Sequence, residues 1–183
     1  MLVGFGHKSR SGKDTSCDYL VSKYGFVKIS FAETLYDISR QVQSMLDKPV
    51  EKNPTLLQSL ADTIKRVYGN NIFVNIVDKK IINYLSQGIS VVISDVRHNE
   101  EFDMIRSHSG ILIDINRKDR PIDRDPTHIS EIQLDDASWD YVVNNNSSID
   151  DLHESLDKIL VKISHHGSFQ TDQSYVVNKP FDQ

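Results

Sequence analysis

Short apolar runs alternate along this chain with stretches whose apolar positions recur every three or four residues, and the alternation sets the predicted elements. Met1 to Gly6 is an apolar run ending in glycine and reads as a strand. A polar loop follows, and Cys17, Leu20, Val21 and Tyr24 then mark one face of a helix that stops at Gly25. Phe26 to Ser30 reads as a second strand. From Ala32 to Ser86 the spacing is helical, with Leu35, Ile38 and Val42 in one piece, Leu57, Leu60, Ile64 and Val67 in the next, and Ile76, Ile81 and Leu85 in a third. Breaks fall at Pro49, Pro54 and Gly69. Ser90 to Asp95, a β-branched run after Gly88, reads as a buried strand, Asn99 to His108 as a helix and Ile111 to Asn116 as a fourth strand. Tyr141 to Val143 is the last. The helix Ile149 to Ile163 carries Leu152, Leu156, Ile159 and Leu160 on its apolar face, with Ser147 or Ser148 as its cap.

Two stretches break the pattern. Residues 117–131 set four bases (Arg117, Lys118, Arg120, Arg124) against four acids (Asp119, Asp123, Asp125, Glu131) with two prolines, which predicts an exposed, mobile connection. The tail from Ser164 is polar and aperiodic and predicts a frayed or peripherally docked end. Strands alternating with helices imply an α/β fold, a mostly parallel five-stranded sheet flanked by helices, with ligands at the carboxyl ends of the strands. The expected organisation is one domain over 1–163, with a helical segment at about 32–88, a lid at about 117–131, and 164–183 as a tail.

Composition narrows this picture. A chain of 183 residues is one domain's worth, large enough to bury about 70% of its unfolded surface without a staple. With one cysteine, Cys17, no intrachain disulfide forms, a reducing compartment is expected, and nothing suggests a zinc site. The longest apolar stretches, such as Val91 to Ile93, fall far below the roughly 20 residues needed to cross a bilayer. The start, MLVGFGHKSR, places its charges after the apolar stretch, the reverse of a secretory signal. A soluble, cytoplasmic protein with no membrane partner is expected. A formal charge of −5 and a pI of about 5.8 argue against a nucleic-acid binder, which needs a basic face. Any anion must therefore be held by local charge.

The local charge is in GHKSRSGKDT, residues 6–15, between the first strand and the first helix. In that context a glycine-containing loop turns successive N–H groups inward, the helix N-terminus adds positive potential, and Lys13 can reach the β and γ phosphates of a nucleotide. The strict GxxxxGK[ST] pattern is missed twice: His7 stands at the first glycine, with Gly6 one place early, and Asp14 stands at the hydroxyl, with Thr15 one place late. A carboxylate or hydroxyl there can still meet Mg²⁺, directly or through water. Arg10, Ser11, Gly12, Lys13, Asp14 and Thr15 are thus the candidate ATP-binding residues, with Asp14 and Thr15 as candidate Mg²⁺ ligands. An ordinary turn capping a helix is the competing reading.

SGKDT after the first strand, FAETL after the second, SDVR closing the third, INR closing the fourth, and HISEIQLDD followed by WDYVVNN occur in order over residues 1 to 163. In this the chain resembles the phage-type deoxynucleoside monophosphate kinases, and it is similar too to animal phosphomevalonate kinases, which share SGKD, a DxR strand end and a later SE element. The resemblance implies a three-layer P-loop fold, a helical segment closing over the monophosphate, and a lid carrying arginines. It implies transfer from Mg·ATP to a (deoxy)nucleoside monophosphate, in support of DNA synthesis. Lys13, Arg97, Arg117 and Arg120 become candidate catalytic residues, with Arg124 a further lid arginine. Ser30, Phe31, Arg66, Asp95, Arg97 and Glu131 become candidate substrate contacts, and Asp95 a third candidate Mg²⁺ ligand. His128, Ser130 and Glu131 form an HxSE element that hinges or lines the lid.

Plainer readings stand beside these: a helix cap for Ser30, core for Phe31, a solvated face for Arg66, and a surface salt bridge for Asp95 and Arg97. Trp139 and Tyr141 are expected to pack beside the last strand, and His165 and His166 carry no assigned role. Two functional alternatives remain, a phosphomevalonate-kinase-like enzyme and a nucleotide-binding module without transfer, the latter motivated by His7. ATP and a monophosphate are the expected partners, with the protein a monomer or homodimer.

Overall fold

Strand β1 (Leu2–Gly6) is buried at every position, as a central strand covered on both faces must be. The structure is a computed structural model and describes residues 1–6, 8–121, 125, 127–165 and 175–176. Helix α1 (Lys13–Tyr24) follows β1 and ends at Gly25, whose left-handed backbone (φ 70) turns its N–H onto the last turn of the helix. Then come β2 (Val27–Ile29), α2 (Glu33–Met45), α3 (Pro54–Tyr68), α4 (Ile72–Ser86) and β3 (Val91–Val96). The rest is α5 (Asn99–Ser107), β4 (Ile111–Asn116), the single turn α6 (Ile129–Ile132), β5 (Tyr141–Asn144), α7 (Ile149–His165) and β6 (Tyr175–Val176).

The sheet order is β2-β3-β1-β4-β5-β6, and every pairing is parallel. The five expected strands appear as read from the apolar runs. The two-residue β6 is an addition: Tyr175 pairs with Tyr141 and Val176 with Val142, so the tail docks on the sheet edge there.

Side chains alternate between two cores. Val3, Phe5, Val92, Ile113 and Ile115 face Cys17 and Leu20 of α1 and Leu152, Leu156 and Ile159 of α7. Leu2, Val91, Ile93 and Leu112 face Val77 and Ile81 of α4 and Phe102 and Ile105 of α5. The elements that follow β1 and β3 therefore lie on opposite faces, which opens a crevice beyond the carboxyl ends of these two neighbouring strands.

Ser148 rather than Ser147 caps α7: its Oγ accepts from Asp151 N at 3.2 Å while Asp151 Oδ2 accepts from Ser148 N at 3.1 Å. Pro54 starts α3 instead of only breaking the chain, with the Asn53 side chain accepting from Leu56 N at 2.9 Å.

Helices α2 and α3 depart from the expected burial. Leu35, Ile38 and Val42 are only half-buried, Val67 is exposed, and the most buried positions of α2 are Ser39 and Gln43. The two helices pack mainly on each other, with α3 also touching α4, and neither lies flat on the sheet as α1 and α5 do. Among the described residues no helix is long and apolar enough to cross a membrane.

The charged connection after β4 also departs from expectation. It ends in a buried anchor, Ser130 at 3% and Glu131 at 1% exposure, rather than running exposed throughout. Its residues 122–124 and 126, Arg124 among them, lie outside the described residues, as do His7 and His166.

Candidate functional site

The loop between β1 and α1 begins at Gly6, where a Cβ would lie 2.1 Å from Trp139 Cη2 and 3.0 Å from the Val96 carbonyl oxygen. Only glycine fits, which accounts for the glycine standing one place earlier than the strict motif. Further on, Arg10 (φ 57) and Gly12 (φ 111, ψ 12) adopt left-handed backbone. Left-handed residues spaced this way turn neighbouring N–H groups to one side and make a concavity suited to an anion. The helix N-terminus opens directly behind it, with Ser16 N and Oγ both donating to the Gly12 carbonyl at 3.0 Å.

Asn145, just past β5, holds the other side of the loop. Its Nδ2 donates to the Ser11 carbonyl at 2.8 Å and lies 2.3 Å from where a Gly12 Cβ would be. The Ser11 hydroxyl donates to the Lys8 carbonyl at 3.1 Å. Lys13 Nζ donates to the same carbonyl and lies 3.5 Å from Ser11 Oγ. Lys13 is buried, and burial together with the like charge of Arg97 brings its pKa down to about 8, against the opposing pull of Glu131, Asp14 and Asp114.

A cleft of about 380 Å³ opens over this loop, and its walls include Lys13, Asp14, Thr15, Asp95, Arg97 and Arg117. The expected ATP-binding residues Arg10, Ser11 and Gly12 line it as well. Of the expected arginines, Arg97 and Arg117 reach the cleft. Arg120 turns instead onto the loop, its Nη1 donating to Ser9 O at 3.1 Å and to Glu131 Oε2 at 3.3 Å.

Glu131, expected to contact substrate, is nearly inaccessible. Its carboxylate accepts from Ser9 N at 3.1 and 3.2 Å and from Arg97 Nη1 at 2.9 Å, as well as from Arg120. Lys8 Nζ donates to the Glu131 carbonyl and pairs with Asp135. In this arrangement the side chain faces protein donors, not the open cleft.

Asp95 has a structural task in addition to lining the cleft. Oδ2 accepts from Ser30 Oγ at 2.6 Å and from Ala32 N at 3.0 Å, while Oδ1 accepts from Phe31 N at 3.0 Å. The third strand's end thereby ties down the turn that starts α2. Phe31 takes its plainer reading as well: its ring is 4% exposed within the α4 and α5 core. Arg66 is exposed on α3 and lines neither cleft described here.

A second cleft, of about 350 Å³, lies beside the first and is lined by Lys28, Ile29, Ser30, Glu33, Tyr36 and Arg40. The two share a wall: Lys28 Nζ pairs with Asp14 Oδ1 at 3.0 Å, and Ser30 bonds Asp95 as above. Burial works to raise the Asp14 pKa, but the Lys28 hydrogen bond and charge outweigh it and hold the carboxyl below its ordinary value. Behind Arg97, Glu101 Oε2 accepts from Arg97 N at 2.7 Å and His98 N at 3.0 Å. Burial and the neighbouring Asp95 charge push Glu101 up to about 8.

Asn145, Glu101, Lys28, Tyr36 and Arg40 were not among the residues singled out from the sequence. Asn145 stands in the run NNN after the last strand, where no periodicity distinguishes one asparagine from the next. Tyr36 and Arg40 share a helical spacing of four on α2, a signal that could have marked them as one polar face.

The chain can also be placed among known proteins. A family model for deoxynucleotide monophosphate kinase matches residues 55–156. A protein of Acanthamoeba polyphaga mimivirus that carries a provisional assignment as a deoxynucleotide monophosphate kinase is 30% identical over 185 residues, covering 85% of this chain and 94% of that one. An uncharacterized protein of Ictalurid herpesvirus 1 (strain Auburn), ORF77, is 28% identical over 152 residues, which is 80% of this chain and 64% of the viral one. Among solved structures, dephospho-CoA kinase from Campylobacter jejuni superposes with a TM-score of 0.56 at 12% identity, covering 92% of this chain and all of that one. At that identity the likeness is one of fold.

Proposed function

Because the chain belongs to the deoxynucleotide monophosphate kinase family and is a phosphotransferase, we propose that it moves the γ-phosphoryl group of ATP onto a deoxynucleoside monophosphate, giving ADP and the diphosphate. The observation that carries this reading is the convergence of Lys13, Arg97 and Arg117 on one cleft above the loop that follows β1. With Arg10, four cationic side chains line this anion-shaped concavity, which suits a polyphosphate.

In this reading the loop amides and Lys13 hold the β and γ phosphates, while Arg97 and Arg117 neutralise charge spread over the transferring group. The acceptor takes the second cleft, where Lys28 and Arg40 offer charge for its phosphate and Tyr36 a face for its base. The shared wall at Asp14–Lys28 and Asp95–Ser30 leaves donor and acceptor side by side, so catalysis is mainly positioning. The acceptor phosphate is already ionised near neutral pH, and no strong base is required.

The donor set fits Mg²⁺ bound with ATP. Asp14, Thr15 and Asp95 are hard oxygen donors on one cleft. Asp95 already accepts three protein hydrogen bonds, which favours holding the ion through its waters, as Mg²⁺ commonly permits. The ion would supply charge neutralisation at the β and γ oxygens. Supply of deoxynucleoside diphosphates for DNA synthesis, in a host cytoplasm, accords with the viral relatives.

The deciding experiment incubates the protein with Mg·ATP and separate panels of deoxynucleoside monophosphates, ribonucleoside monophosphates and phosphomevalonate, and follows ADP release. Turnover confined to deoxynucleotides supports the proposal. Turnover on phosphomevalonate alone replaces it with the other kinase, and ATP binding without turnover on any acceptor points to a binding module.

A further inference from the structure

The connection after β4 returns to the loop after β1 at a buried side chain, Glu131. Glu131 sits on the one-turn helix α6 at 1% exposure, and its two oxygens meet groups from three separate parts of the chain. Ser9 N comes from the phosphate loop (3.1 and 3.2 Å), Arg97 Nη1 from the end of β3 (2.9 Å), and Arg120 Nη1 from the charged connection itself (3.3 Å). Lys8 reinforces the same junction from the loop side, through the Glu131 carbonyl and Asp135. Trp139, further along the same segment, packs on Gly6 at the loop's start.

A carboxylate this buried is costly unless its lone pairs are filled by good donors. Among the described residues its donors include the Ser9 amide and the guanidinium groups of Arg97 and Arg120. Each of these would otherwise have its own choice of position near the cleft. Arg97 lines the cleft while bonded to Glu131 through one nitrogen, leaving its remaining N–H groups for other acceptors. The guanidinium is planar, so fixing one edge fixes the direction of the other.

We infer that Glu131 is a positioning residue for phosphoryl transfer, its buried carboxylate clamping the phosphate loop at Ser9 and aiming Arg97 into the cleft while Arg120 braces the junction. This rests on the kinase reading above for the reaction, and on the geometry alone for the clamp. Glu131 itself touches no substrate. Its contribution is realised through Arg97, and it counts in the transition state more than in binding, because arginine charge matters most where negative charge is being redistributed.

The test compares wild type with Glu131→Gln, Arg97→Ala and the double variant, measuring kcat and KM for ATP and for the best acceptor. Glu131→Gln keeps the side-chain volume and removes the charge that holds both guanidinium groups. The expected result is a loss of about tenfold or more in kcat with KM for ATP changed less than about threefold. The double variant should be little worse than Arg97→Ala alone, because an unaimed arginine has less to lose. Additive losses in kcat, or a kcat for Glu131→Gln within twofold of wild type, overturn the inference.

A second measurement is independent of catalysis. Hydrogen exchange of a peptide covering Lys8 to Gly12 should quicken in Glu131→Gln while exchange in α7 stays as in wild type; a rate for that peptide equal to wild type overturns the clamp. Should wild type transfer to no acceptor, the kinase reading fails and exchange still decides the clamp. Should Glu131→Gln not fold, Arg120→Gln, which keeps the carboxylate with its Ser9 and Arg97 donors and removes the brace, takes its place with the same two readouts.

Discussion

The indole of Trp139 lies against the α-carbon of Gly6 so closely that a methyl group there would sit 2.1 Å from its ring. Trp139 also meets Phe102 edge-on, with ring centroids 5.1 Å apart, so withdrawing it would disturb that contact. The start of the phosphate loop is thereby set by a residue more than a hundred positions away. Gly6→Ala should destabilise the fold by about 1–3 kcal/mol through overpacking, and adding Trp139→Leu should recover part of the loss. Urea unfolding of the single and double variants checks both expectations.

Lys13→Ala should reduce kcat by about a hundredfold or more, as removal of a preorganised charge from a transferring phosphoryl group does, with the fold intact. A coupled ADP assay and circular dichroism together report the outcome, and turnover near that of wild type would remove Lys13 from the site.

The pH profile follows from the same lysine. In the nucleotide-free protein burial and Arg97 lower its pKa to about 8, so the ammonium is lost as pH rises through that value. The quantity kcat/KM for ATP reports the free enzyme and should fall on the alkaline side of about pH 8. A bound polyphosphate favours the charged form, which places the alkaline limb of kcat at higher pH. Coincident limbs in kcat and kcat/KM would contradict this.

Asn145→Ala removes the hydrogen bond to the Ser11 carbonyl and opens space beside Gly12. The expected consequence is a looser loop, with KM for ATP raised severalfold and a stability loss of about 1 kcal/mol. ATP titration and thermal unfolding measure the two effects separately.

Glu101 ties a stability prediction to pH. Its pKa is about 8 in the folded protein against 4.5 for an ordinary glutamate, because burial and the Asp95 charge disfavour its anion. The folded state therefore binds the proton more tightly than the unfolded chain, and the stability this contributes is full below pH 4.5 and lost as pH rises through about 8. Glu101→Gln keeps an oxygen for the Arg97 and His98 amides and cannot ionise. Its stability relative to wild type should rise from pH 4.5 to 8 and level off above, as read by urea unfolding at several pH values.

The apolar runs and helical spacings made the five-strand alternation legible, because each strand is buried on both faces and each principal helix on one, and such burial is written locally as composition and period. The phosphate loop was legible for a similar reason: its chemistry lies in ten consecutive residues. Helices α2 and α3 were legible as helices but not in their burial, since the buried positions of α2 are the polar Ser39 and Gln43 while Leu35, Ile38 and Val42 stay half-buried.

What the chain order determined by itself is thus the elements, their sequence, and the loop on which Lys13 sits. The tertiary structure alone decided that Gly6 must be glycine, that Asn145 braces the loop, and that Arg97 and Arg120 meet on Glu131, the first also lining the cleft and the second also bonding Ser9. It also turned Glu131 from an expected substrate contact into a buried junction. Local patterns report whether a residue is covered. The identity of what covers it depends on crossovers that bring positions a hundred residues apart into hydrogen-bond range, and no spacing in the sequence encodes that distance.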